Sequence, residues 1–329
     1  MDVETYQHLG LDLNFTDHRG AEKVNGRSNL EIADALNTPG DVAYHPCPEA
    51  QREPDAIGTL HRFEDWRSSA AYPGTVRDVW LYEPASPKSK DPVALLVFND
   101  GGVYLDPDGP VRAARVLDVL QASGALGPTA AVFVSPGRPL DVPAAESPWG
   151  INFHLKASEQ RSIEYDNLTD TYARFVVDEL LPFAQQQLGV KIDDDPSRRA
   201  MVGISSGGIC AWTTAWHRPD SFGLVLSHCG SFVNIRGGHA WPYLVRSTAA
   251  KPIKVFLQSG ELDANIIYGN WPLANKQMAA ALQFAGYDVR FEFGTGGHNL
   301  RHAGALFAKS LRWLFTDSPE TKQGAPSIS

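Results

Sequence analysis

The stretch Gly203-Ile204-Ser205-Ser206-Gly207-Gly208 sets two hydroxyls among glycines where one periodicity gives way to another. Arg199–Val202 ahead of it is strand-like, and Ser206–His217 behind it reads as a helix. The first five residues fit G-x-S-x-G between a strand and a helix. So sharp a turn strains the backbone of its middle residue, and small neighbours two positions away let the two arms approach. Ser205 is thereby lifted out of the sheet with its hydroxyl exposed. Ser206 becomes the first helical residue, and its N–H is one of the unpaired donors of a helix start. Its hydroxyl is a competing nucleophile, but the glycine spacing centres on Ser205.

A serine hydroxyl needs a base to take its proton. His298, in Gly294-Thr295-Gly296-Gly297-His298-Asn299, follows the last strand of the pattern, where a glycine-rich loop can carry an imidazole over a sheet edge. His302, at the start of the last helix, is a weaker candidate. The base needs an orienting carboxylate. Asp263 follows the strand Ile253–Gln258 through Ser259-Gly260-Glu261-Leu262, with Glu261 as its rival. The order Ser205, Asp263, His298, at intervals of 58 and 35 residues, is the one expected of α/β-hydrolases. An acyl-transfer site also needs amide donors for an oxyanion. Gly102, in Asn99-Asp100-Gly101-Gly102-Val103-Tyr104 after the apolar run VALLVF, supplies one N–H, and Ser206 supplies the other.

These residues must be held by a sheet. From Thr75 onward, short β-rich runs alternate with helical patterns. The strands are expected at Val76–Tyr82, Val93–Phe98, Ala130–Val134, Arg199–Val202, Gly223–Ser227, Ile253–Gln258 and Val289–Phe293. The helices are expected at Val111–Ala122, Asp170–Leu188 (interrupted at Pro182), Ser206–His217, Leu273–Ala285 and Ala303–Leu314. Unbroken apolar runs such as VALLVF and AAVFV suit strands covered on both faces. The pattern predicts an α/β fold with a mostly parallel central sheet flanked by helices. Residues 61–316 form the catalytic domain. Residues 1–60 form an N-terminal extension, a lid or a packing arm, with a helix at Asn29–Leu36 capped by Ser28 and Glu31. Residues 317–329 are expected to be a frayed tail. The segment Gly137–Asn167 has no clear period and reads as a long functional loop.

Composition excludes other classes. The chain has 329 residues and a net charge of −9, without a basic stripe, so no nucleic-acid partner is expected. The three cysteines, Cys47, Cys210 and Cys229, are too few for a disulfide framework or a zinc site and read as buried thiols. No run of 18 apolar residues occurs, and no signal-like h-region opens the sequence, so a cytoplasmic protein is expected. The sequons at Asn14 and Asn167 then read as chance.

The stretches FNDGGVYLDPDGPVR (98–112), RSIEYD (161–166), RAMVGISSGGICAWTTAW (199–216), SHCGSFVNIRGGHAWP (227–242) and FGTGGHNLRHAGALF (293–307) resemble the enterochelin-esterase-like branch of the Putative esterase family, within the α/β-hydrolase superfamily. The resemblance runs from about Trp66 to Phe315. It implies Ser205 as nucleophile, His298 as base, Asp263 as acid and one oxyanion donor in the NDGG turn. Members of the branch cleave siderophore trilactones, feruloyl esters or formyl thioesters, and a related group transfers mycolyl chains.

The expectation is a serine carboxylic-ester hydrolase acting through an acyl-enzyme on an aryl, lactone or siderophore-like ester, with no metal or organic cofactor. An acyltransferase using the same acyl-enzyme is the nearest alternative, and a silent binding protein on this scaffold is another. Arg236, His239 and Trp241 in NIRGGHAW, with Tyr104 and Trp271, are candidate substrate contacts, although core packing is the default for Trp271. Arg161, Glu164 and Tyr165 are expected to form a buried ion-paired brace, and Trp212 and Trp216 to lie in the core. The N-terminal extension could also serve a homodimer.

Overall fold

The computed structural model describes residues 43–67, 70–85 and 91–316, together with the backbone of the paired strands Lys23–Val24 and Arg27–Ser28. The expected helix at Asn29–Leu36 and the expected tail at 317–329 lie outside these residues. Eight strands line up across one sheet: β1 (Thr59–Trp66), β2 (Thr75–Glu83), β3 (Ala94–Asn99), β4 (Thr129–Val134), β5 (Arg199–Ile204), β6 (Leu224–His228), β7 (Lys254–Leu262) and β8 (Val289–Gly297). Their order is β1-β2-β4-β3-β5-β6-β7-β8. The strand β2 runs antiparallel to β1 and β4, and every pairing from β4 through β8 is parallel. The two-residue strand Arg138–Pro139 adds to the side of β2.

The unbroken apolar runs have the cause the pattern suggested. Along β3, Leu95 and Val97 feed one core while Leu96 and Phe98 feed the other. Among the helices that flank or cap the sheet are α1 (Gly101–Leu105), α2 (Ala113–Ala122), α3 (Leu155–Tyr165), α4 (Ser206–His217), α5 (Trp241–Ser247), α6 (Trp271–Phe284) and α7 (Arg301–Leu314), the last among the described residues. Trp212 of α4, Met278 of α6 and Phe175 pack into the first core, and Leu117 of α2 with Phe307 of α7 into the second. Among the described residues, no helix is long and apolar enough to cross a membrane.

Three features depart from the sequence reading. First, β1 lies in an exposed edge position that no apolar run announced, because an edge strand has little to bury. Second, the segment 137–167 is not one loop. Its last third is α3, whose N-terminus is capped by the His154 side chain accepting from the Lys156 N–H at 3.3 Å. The buried face of α3 is polar, with Ser158, Arg161, Ser162 and Glu164, so hydrophobic periodicity could not reveal it. Third, Arg161 and Glu164 do not pair with each other. Glu164 takes both terminal nitrogens of Arg77 at 2.7 and 3.0 Å, and Arg161 reaches both oxygens of Asp100 at 2.9 and 2.8 Å. The expected helix Asp170–Leu188 is irregular just ahead of Pro182, which itself lies in a regular helical turn. Thr171–Arg174 and Leu181–Gln187 are separated by the π-helical turn Phe175–Leu180. The described part of the N-terminal arm packs against α7. Cys47 N–H donates to Gly304 C=O at 3.2 Å, and Arg312 meets Glu49 at 2.6 Å.

Two buried polar arrangements generate predictions. The Arg77–Glu164 pair is fully buried, with the guanidinium 4.2 Å over the Phe175 ring. Arg77→Leu leaves an unpaired buried carboxylate and should cost about 3–5 kcal/mol in urea unfolding, whereas Arg77→Leu with Glu164→Leu should cost clearly less. His228, at the end of β6, is fully buried with Nδ1 2.9 Å from Tyr104 Oη. Burial, and then the charge of His302, pull its pKa down from 6.5 to about 3. The unfolded chain therefore binds one more proton than the folded chain between these values, and stability falls as pH drops through that window. The slope is about 1.4 kcal/mol per pH unit for this group. A His228→Gln variant should show a shallower loss of thermal midpoint between pH 6.5 and 4.

Candidate active site

The parallel strands β3 to β8 end at one rim, and three of them hand their next residues to the triad. Ser205 follows β5, Asp263 follows β7, and His298 follows β8. Ser205 has φ 57° and ψ −123°, a left-handed conformation that costs a non-glycine residue of order 1–3 kcal/mol. Its surroundings hold it there. Ser205 N–H donates to His228 C=O at 2.9 Å, and Ser231 N–H donates to Ser205 C=O at 3.0 Å. Space excludes a side chain at Gly203 and leaves little room for one at Gly207. A Cβ on Gly203 would lie 2.1 Å from Gly207 O, and one on Gly207 would lie 3.0 Å from Asp100 Oδ2.

The ends of β7 and β8 come equally close. A Cβ on Gly260 would sit 2.2 Å from Gly296 O, so glycine lets the acid-bearing and histidine-bearing loops meet. There His298 Nε2 lies 2.8 Å from Ser205 Oγ, and Nδ1 lies 2.6 Å from Asp263 Oδ1. Asp263 also accepts from Ser259 Oγ and from Ala264 N–H, each at 2.7 Å. Burial alone would raise its pKa. The neighbouring His298 charge, the His298 hydrogen bond and these two donors outweigh burial and hold it below the usual carboxylate range. An ionised carboxylate only accepts, so in the neutral ring Nδ1 carries the proton and Nε2 presents a lone pair to Ser205. Glu261 is exposed, and His302 bonds Gln258 at 3.0 Å instead of reaching Ser205.

Ser206 is the first residue of α4 and Gly102 lies in the first turn of α1, where helix amides lack partners within the helix. Asp100, at φ 51°, turns the chain from β3 into α1. Its carboxylate is gripped by Arg161, and its N–H donates to Tyr165 Oη at 3.1 Å. A cavity of about 230 Å3 opens beside Gly102, lined in part by Trp80, Ser135, Arg138 and Asn152. A larger one, about 750 Å3, lies at the opposite end of the sheet by Ala94, Thr129, Leu224 and Lys254, the first residues of four strands. The candidate triad lies at the other rim, where the parallel strands end.

The candidate substrate contacts scatter. Tyr104 is fully buried and spends its hydroxyl on His228, so it lines no accessible wall. Trp241 is also buried, edge-on to Trp212 and Trp216 at 5.9 and 5.2 Å; the aromatic belongs to the core. Trp212 and Trp216 are buried with it. Trp271 is buried too, but it stands edge-to-face on the His298 ring at 5.4 Å. Arg236 is half-buried and donates to Ser162 Oγ at 3.2 Å, while His239 is exposed on the turn Gly238–Ala240. Sequence reasoning missed Ser231, whose Oγ lies 3.2 Å from Ser205 Oγ, and Asp166, which is buried beside Ser206 and Arg161. Only a glycine-serine pair after β6 hinted at the first.

Among the described residues, one set of possible metal ligands converges: Cys229, Asp263 and His298, within 4.8 Å of one another. Both imidazole nitrogens of that set are already hydrogen-bonded, to Asp263 and Ser205, which is the geometry of a proton relay.

Comparison with known proteins agrees with this architecture. The chain is 28% identical over 280 residues to the iron(III) enterobactin esterase of Dickeya dadantii (strain 3937), covering 78% of this chain and 55% of the relative. The crystal structure of the enterobactin esterase of Shigella flexneri, solved in the presence of enterobactin, superposes with a TM-score of 0.61 at 20% identity, covering 82% of this chain and 60% of that one. A ferulic acid esterase superposes with a TM-score of 0.60 at 17% identity, covering 79% of this chain and 98% of that one. The chain thus spans little more than half the length of the enterobactin esterases it matches. The sequence signature of the family described as "Putative esterase" matches residues 70–313, well over half the chain, and the protein belongs to that family.

Proposed function

We propose that this protein is a serine ester hydrolase that works through an acyl-enzyme. The observation that carries the reading is the 2.8 Å contact of Ser205 Oγ with His298 Nε2, on a ring whose other nitrogen is tied to a buried carboxylate. Ser205 Oγ attacks the ester carbonyl carbon while Nε2 takes its proton. Charge collects on the carbonyl oxygen, where the amides of Gly102 and Ser206 receive it. Each such donor is worth about 3 kcal/mol in a transition state. The bond to the leaving alcohol breaks as His298 returns the proton to that oxygen. Water then repeats the sequence on the acyl-enzyme, releasing the acid and restoring Ser205. Asp263 stays ionised throughout and stabilises the imidazolium.

For the substrate, the reading is a small or medium ester with an aryl or lactone part. The named relatives act on enterobactin or on ferulic acid esters. The cavity beside Gly102 has Trp80, Arg62 and Arg138 in its lining, residue types that suit an aromatic or anionic group, with Arg138 already paired to Asp65.

Ser205→Ala should lower kcat on a responsive p-nitrophenyl, feruloyl, lactone or catecholate ester by roughly four to six decades, with the fold intact by circular dichroism. Retained turnover in that variant defeats the mechanism. A fluorophosphonate should label the unaltered protein at Ser205 and leave Ser205→Ala unlabelled. Absence of an adduct in the unaltered protein would favour a binding role. Products formed mainly by transfer to an added alcohol, not to water, would make the protein an acyltransferase.

A further inference from the structure

We infer that Ser231 and Trp271 are positioning residues that aim the Ser205 proton at His298 and keep one hydrogen bond on the nucleophile oxygen; this rests on the acyl-enzyme reading above. Three contacts form a line. Trp271 Nε1 lies 3.3 Å from Ser231 Oγ, Ser231 Oγ lies 3.2 Å from Ser205 Oγ, and Ser205 Oγ lies 2.8 Å from His298 Nε2.

The direction of every proton along that line is fixed by the chemistry of its two ends. An indole nitrogen only donates, so Ser231 Oγ is the acceptor toward Trp271. In the neutral ring His298 donates its Nδ1 proton to Asp263, so Nε2 only accepts, and the proton it accepts is that of Ser205. The Ser231 proton is then the one left to lie between the two hydroxyl oxygens, and it points at Ser205. The chain reads Trp271 N–H to Ser231, Ser231 O–H to Ser205, Ser205 O–H to His298. The opposite sense would turn the Ser205 proton away from its base.

A donor on Ser205 Oγ acts twice. It stabilises the charge that grows on the oxygen as its proton leaves, and it does so again when the oxygen is the leaving group of deacylation. The placement is built in. Ser231 is fully buried, and its N–H is bonded to Ser205 C=O. Asn275 of α6 donates to Gly230 C=O at 2.9 Å and to Trp271 C=O at 3.0 Å, tying the Ser231 segment to the helix that begins with Trp271.

The test is a double-mutant cycle read by kcat, KM and the rate of fluorophosphonate labelling. Ser231→Ala should lower kcat and the labelling rate about 10- to 100-fold, the loss of one hydrogen bond to a charged oxygen, with KM within about twofold. Trp271→Phe keeps a ring against His298 but removes the donor, so Ser231 can rotate and accept from Ser205; the same two rates should fall by a smaller factor. In the Ser231→Ala background, Trp271→Phe should have almost no further effect. A wild-type kcat in Ser231→Ala, or a Trp271→Phe loss of equal size in both backgrounds, overturns the inference. Ser205→Ala, run alongside, separates the cases: turnover surviving there defeats the acyl-enzyme reading, while a dead Ser205→Ala beside a fully active Ser231→Ala defeats this inference alone.

Discussion

The backbone of Ser205 is the constraint on which the site depends. Its left-handed conformation is unfavourable by itself, and two hydrogen bonds from one neighbouring segment hold it. The carbonyl of His228 accepts from its N–H and the N–H of Ser231 donates to its carbonyl, so residues 228–231 clamp the turn from both sides. That segment is bent in turn, with Cys229 at φ 47°. Two strained residues on adjacent strand ends thus support each other. Such strain persists only where the surroundings over-determine it. Here they are two covered core strands, β5 and β6, paired in register from Ala200 to Ile204.

A second clamp is electrostatic. Asp100 has to turn left-handed for the chain to leave β3 and start α1, and a small polar residue tolerates that conformation better than most. Arg161 closes on its carboxylate with two hydrogen bonds, and Tyr165 takes its N–H. Both partners lie on α3, which Glu164 in turn locks to Arg77 on β2. Buried ion pairs are weak evidence for stability, because desolvation offsets much of the attraction. Their effect here is geometric: they fix the turn that carries Gly102 relative to the sheet.

Much of the fold was legible because it follows local rules. Doubly covered strands must be apolar throughout, and β3 and β4 announced themselves that way. The helix α4 was bounded by a glycine-serine turn and a positional period, and its observed limits agree. The helix α3 stayed hidden because its inner face is charged, and charges bury only against partners that sequence does not reveal. Aromatic residues misled for a related reason. Trp241 and Trp271 have the same side chain in similar contexts, yet one closes a core and the other leans on an imidazole.

Residue types, glycine spacing and chain order by themselves determined which serine sits on a strand-to-helix turn and which acid and histidine follow later strand ends. Those are properties of a few neighbours along the chain. Tertiary structure alone decided that β7 and β8 approach closely enough at Gly260 and Gly296 to join Asp263 to His298, and that Ser231 stands beside the nucleophile. Contacts between residues tens of positions apart depend on how strands pair and helices pack, and no local pattern carries that information.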